Sequence, residues 1–228
     1  MGRVLIALHI FVAATASVGA QETSSIEVDA GRSVVVEDAI SGYDYLDFTV
    51  DTAAGDVLAV ILAATDLSTY FNVMSPNVDE AIFNGSIEGD SFAGTVDTAG
   101  LQTIRVYMMR NAARRGETSR FALAIGRPGT GGVDGMDALV AGSPFHATAQ
   151  IDCGATGERR CPAGVVRGAA GKTAIFVTNP DTGIRHWIDL DQGTIDGPAA
   201  RTRQEGDTLH VTLGDAEYRI PQAFVTGD

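Results

Sequence analysis

Positive charge is what this sequence has least of. Sixteen basic residues face 29 acidic ones, the formal net charge is −13, and Lys172 is the one lysine. A surface so acidic repels polyphosphate, which argues against nucleic acid as a partner. Cysteine is almost missing too. Cys153 and Cys161 are the whole supply, and His146 does not complete a zinc set with them, so no metal or other cofactor is expected. Neither a G-x-S-x-G elbow nor an H-E-x-x-H helix occurs, so those hydrolase signatures are lacking and no catalytic residue is assigned. The run from Gly168 to Thr173 ends like a phosphate-binding loop, but Val166 stands where its first glycine belongs and a strand pattern follows. It reads as a hairpin turn. His186 beside Trp187 on a strand reads as packed or exposed rather than catalytic, and Asp189, Asp191 and Gly193 lack the spacing of a calcium loop.

The long apolar run that does occur lies at the start. Arg3, apolar residues 4–16 and a Val18-Gly19-Ala20 ending have the layout of a secretory signal peptide, so residues 1–20 are expected to be removed. No later stretch approaches the roughly 20 apolar residues of a membrane helix, so the mature chain is expected to be free of the membrane, in the periplasm or secreted. Oxidation is permitted there, and a Cys153–Cys161 disulfide is the favoured reading.

Residues 33–126 are a series of short alternating or apolar runs broken by Gly, Asp, Asn and Pro. Strands are predicted over 33–36, 43–50, 57–64, 70–74, 81–83, 91–96, 102–108 and 120–125. This is the pattern of an eight-stranded antiparallel β-sandwich over residues 21–126. Leu46, Phe48 and Val50, then Ile104, Val106 and Met108, and Phe121, Leu123 and Ile125 should face its core. The unbroken run 57–64 should be covered on both faces. Asn84-Gly85 reads as a hairpin dipeptide. Residues 127–135 form a Gly-rich linker, expected to leave the two halves uncoupled. Residues 136–228 read as a second, small, mostly-β domain, either a small barrel or a half-open sandwich. The fold class is therefore all-β.

Within this acidic chain one stretch reverses the sign. Residues 104–120 hold Arg105, Arg110, Arg114, Arg115 and Arg120 against Glu117, a local balance of +4. Residues 111–118 suit a turn of helix stopped by Gly116. Four residues apart, Arg110 and Arg114 would project on one side, each able to fork a carboxylate or phosphate. The competing reading is that the cluster forms salt bridges with the domain's own acids.

Two motifs in this region carry a resemblance. Gly42-Tyr43-Asp44-Tyr45 and the Arg-Asn-x-Ala-Arg pattern from Arg110 to Arg114 are similar, in order and spacing, to the periplasmic inhibitors of goose-type lysozyme, over about residues 25–126. The resemblance implies an eight-stranded β-sandwich and a goose-type lysozyme as protein partner, with Tyr43, Arg110 and Arg114 as the inhibitory residues. Tyr45 and Arg115, their neighbours in sequence, are candidate supporting residues. Ala112 departs from the pattern, in which Asp is expected. The physics suits the role, since a lysozyme cleft carries a catalytic carboxylate and binds sugar rings. Two other readings stand beside it. One is a cell-envelope carbohydrate-binding module in which Tyr43, Tyr45 and the arginines hold peptidoglycan or another glycan, and the other is an enzyme whose C-terminal domain is catalytic.

Overall fold

Alternation of apolar and polar residues, interrupted every few residues by turn formers, makes the chain fold as strands. The computed structural model describes residues 21–128, 138–168, 172–191, 194–196 and 200–227. The signal-peptide expectation and most of the Gly-rich connection fall outside them.

The N-terminal half contains β1 (Gln21–Ser25), β2 (Ser33–Ser41), β3 (Tyr45–Thr52), β4 (Val57–Ala64), β5 (Thr69–Met74) and β6 (Ala81–Asn84). The short helix α1 (Gly85–Glu88) follows, then β7 (Ser91–Thr95), β8 (Gly100–Met108), the helix α2 (Arg110–Arg115) and β9 (Thr118–Gly126). They form two facing sheets, ordered β1-β3-β8-β5-β6 and β2-β9-β4-β7. Phe48, Val50, Leu58, Val60, Leu62, Phe71, Ile104, Val106, Phe121, Leu123 and Ile125 fill the space between them, on the faces that alternation selects. The strand count is nine rather than eight. β1 runs parallel to β3, and its sequence QETSS has no apolar residue to announce it.

Asn84-Gly85 does not make a hairpin, because β6 and β7 lie in different sheets. Asn84 instead caps α1, its Oδ1 accepting from the Ser86 N–H at 3.2 Å. Asparagine serves both purposes, and here the cap prevails. Gly85 is required by a close approach: a Cβ there would lie 2.4 Å from the Phe71 carbonyl oxygen.

The C-terminal half contains β10 (Ala147–Cys153), β11 (Arg159–Arg167), β12 (Thr173–Thr178), β13 (Arg185–Asp191), β14 (Thr194–Asp196), β15 (Ala200–Glu205), β16 (Thr208–Leu213), β17 (Ala216–Pro221) and the helix α3 (Gln222–Thr226). These strands make one antiparallel sheet ordered β14-β13-β12-β11-β10-β17-β16-β15. The sheet curls on itself. β13 and β17 are separated by three strands, yet the His186 and Tyr218 rings lie 5.8 Å apart, and Ile175, Ile188, Val211 and Ile220 share one core. The form is barrel-like.

Cys153 and Cys161 are bonded, as their compartment suggested, and they bridge β10 to β11 across eight positions of sequence. Closing so short a loop stabilises by roughly 2–3 kcal/mol in the chain-entropy model. Replacing both cysteines by serine is expected to lower the urea midpoint accordingly. An unchanged midpoint would show the bond to be thermodynamically idle.

The halves are coupled despite the polar connection between them. The outer face of β4 and β9 presents Ile61, Ala63, Ala122 and Ala124, and against these small residues pack Phe145, Val166, Ala174 and Phe176 of the C-terminal half. Both faces of β4 are thus covered, the inner by the sandwich and the outer by this seam. Gly164 admits the Phe145 ring, which a Cβ would meet at 2.3 Å. Beside the seam, Arg185 pairs with Asp90, Nη2 to Oδ1 at 3.3 Å.

Candidate functional site

The arginine stretch sits at one end of the sandwich, where β8 leaves one sheet and β9 enters the other. Between them the chain makes α2. Ala112 and Ala113 turn inward and are buried, while Gly116 closes the helix in the left-handed conformation at φ 68° and donates its N–H to the Ala113 carbonyl at 3.0 Å. So short a helix draws its stability from packing rather than propensity. With its alanine side anchored, the helix exposes Arg110, Asn111, Arg114 and Arg115. Ala112, where the resemblance leads one to expect Asp, belongs to the sandwich core.

The turn between β2 and β3 lies against this helix. Gly42 donates its N–H to the Glu117 carbonyl at 2.9 Å, and the hydroxyls of Ser41 and Thr118 are hydrogen-bonded at 2.8 Å. Gly42 has φ +56°, a left-handed turn conformation that suits glycine. The Tyr43 side chain is 64% exposed at this turn. Tyr43, Arg110 and Arg114 therefore occupy adjoining connections at the same end of the molecule.

The five arginines divide by their surroundings. Arg105, on the outward side of β8, lies opposite Asp47 of β3 and forks it, with Nε to Oδ1 and Nη2 to Oδ2 both 2.7 Å. That hydrogen-bonded carboxylate raises the Arg105 pKa. The same guanidinium stands 4.1 Å from the centroid of the Tyr45 ring. Tyr45 is half-buried beneath a cation that is already paired. Arg115 forks Glu117 at 2.5 and 3.0 Å, and its pKa too is raised by that bond. For these two arginines the salt-bridge reading holds. Arg120 is exposed on β9 opposite Ala39. Like Arg120, Arg110 and Arg114 make no side-chain hydrogen bond or ion pair among the described residues.

Sequence reasoning missed two apolar members of this end. Leu67 and Met109 are 61% and 41% exposed, and the Met109 N–H donates to the Ser68 carbonyl at 2.8 Å. The signal for Leu67 was a leucine set between the turn formers Asp66 and Ser68.

Elsewhere the titratable candidates are structural. His186 packs against Tyr218, and burial lowers its pKa below 6.5. Burial likewise pushes the Tyr218 hydroxyl up to about 12. Among the described residues, no three His, Cys, Asp or Glu side chains are grouped as a metal would require, and no helix is long and apolar enough to cross a membrane.

The fold and its end face describe an all-β protein in which a short, anchored helix carries the unpaired Arg110 and Arg114 and an adjoining turn carries an exposed tyrosine. Among solved structures, the chain is similar to the Aeromonas hydrophila PliG, a periplasmic inhibitor of g-type lysozyme, at 28% identity and a TM-score of 0.42, over 47% of this chain and 99% of that one. It is similar to the Salmonella Typhimurium PliG at 18% identity and a TM-score of 0.38, over 46% and 97% of the two chains. The pre-peptidase C-terminal domain of a Bacillus anthracis collagenase follows at 12% identity and a TM-score of 0.36, over 46% and 95%. No family model matches the chain, and no curated protein does.

Proposed function

We propose that this protein is an exported inhibitor of goose-type lysozyme that places Tyr43, Arg110 and Arg114 in the acidic, sugar-binding cleft of the enzyme. The observation that carries the reading is the division of the arginines. In a chain of net charge −13, the local acids take up Arg105 and Arg115; of the cluster's three arginines left without a side-chain partner among the described residues, Arg120 lies on β9, and Arg110 and Arg114 stand four apart on α2, beside the Tyr43 turn.

Each guanidinium can fork a carboxylate, and the exposed tyrosine can lie where a sugar ring would, with little side-chain entropy to lose. The anchored backbone beneath them lowers the ordering cost of binding. The acidic remainder of the surface disfavours other anionic partners, which gives selectivity. The motif resemblance over residues 25–126 points to the same enzyme class and to the periplasm.

Titrating the mature chain into a goose-type lysozyme acting on peptidoglycan tests the reading. Stoichiometric loss of hydrolysis is expected. Undiminished hydrolysis, with the chain pelleting on peptidoglycan, would contradict it and favour a glycan-binding role.

A further inference from the structure

The apolar members of the binding end lead beyond the arginine pair. Leu67 lies in the connection between β4 and β5, and a scattered exposed leucine would need no explanation. This one stands on a fixed backbone. The Thr65 N–H donates to the Arg120 carbonyl at 2.9 Å, the Asp66 N–H to the Ser119 hydroxyl at 3.3 Å and the Ser68 N–H to the Asp66 carboxylate at 2.7 Å. Through the Met109–Ser68 hydrogen bond the same connection adjoins the first turn of α2. Leu67 thus belongs to the end that carries Tyr43, Arg110 and Arg114.

Leu67 also lines a cleft of about 290 Å³ whose other walls include Thr69, Tyr70 and Asp90 of the N-terminal half and Gly183 and Arg185 of the C-terminal half. Gly183 closes the turn between β12 and β13, where its N–H donates to the Asn179 carbonyl at 2.8 Å. The buried seam and the Arg185–Asp90 pair hold that turn in place. Asp90 is paired with Arg185 and Asp66 accepts the Ser68 N–H, so both carboxylates of the cleft are engaged.

We infer that the binding face extends from Arg110 and Arg114 across Leu67 to this junction cleft, which receives an apolar side chain from the rim of the same acidic-clefted enzyme. The inference rests on the inhibitor reading and deepens it, because the C-terminal half becomes one wall of the interface. Charge complementarity selects the occupant. The unpaired guanidiniums of α2 call for an anionic cleft, and a leucine on a fixed backbone beside them suits the apolar rim of a protein better than a hydroxyl-covered glycan.

The test uses the full mature chain and its affinity for goose-type lysozyme, with Leu67→Asp, Leu67→Met and Arg110→Ala compared. Leu67→Asp is expected to weaken binding by about tenfold or more, as loss of an interface anchor does, with the thermal midpoint unchanged and Leu67→Met close to the unmodified chain. If Leu67→Asp binds like the unmodified chain while Arg110→Ala does not, the extended face is wrong and the arginine reading stands. If the unmodified chain itself fails to bind, both fall.

Discussion

Arg110→Ala and Arg114→Ala are each expected to weaken inhibition of goose-type lysozyme by about tenfold or more, with folding intact. Removing one member of a desolvated charge pair costs about 2–5 kcal/mol, against less than about 1 kcal/mol for an exposed rim charge. The structure supplies its own controls. Arg115 is engaged with Glu117, so Arg115→Ala removes a pair that is already locally neutral, and Arg120→Ala removes a charge from β9 outside the helix. Both should change inhibition little. Equal, small effects from all four substitutions would mean that the cluster is a solvated charged face and nothing more.

Phe176→Ala is expected to destabilise the full chain by about 3–5 kcal/mol, the usual range for emptying a buried aromatic site. Phe176 is fully enclosed in the seam, its ring 5.7 Å from that of Phe145. The alanines opposite, Ala63, Ala122 and Ala124, are too short to collapse into the space. Denaturant unfolding of the full chain measures the effect. A loss below about 1 kcal/mol would show that the halves touch without stabilising one another. A large loss here ties the stability of the C-terminal half to its packing on the outer face of β4 and β9.

Much of this architecture was legible because alternation reports burial directly. Ile104, Val106 and Met108 against Thr103, Arg105 and Tyr107 define the two faces of β8 without any structure, and the Ala112–Gly116 stretch signals a capped helical turn. Other features were not legible for physical reasons. β1 is held by backbone pairing to β3, which QETSS does not advertise. Asn84-Gly85 carries a signal shared by hairpins and helix caps. The seam is built from alanines on the outer face of β4 and β9, and alanine in a strand says little about what covers it.

The candidate site divides in the same way. The charge reversal at residues 104–120 and the GYDY turn were visible in the sequence, as was the helical spacing of Arg110 and Arg114. What separates those two from Arg105 and Arg115 was not visible, since it depends on cross-strand register at Asp47 and on a helix end that brings Glu117 to Arg115. Leu67 was hidden more thoroughly, because its place beside α2 comes from backbone hydrogen bonds between distant connections.

Calorimetric titration of the mature chain into a goose-type lysozyme, repeated with a soluble oligosaccharide filling the enzyme's cleft, decides whether Tyr43, Arg110 and Arg114 enter that cleft. One-to-one binding is expected, competed away by the oligosaccharide and weakened as salt rises. Absence of binding, or binding indifferent to the occupied cleft, would contradict it.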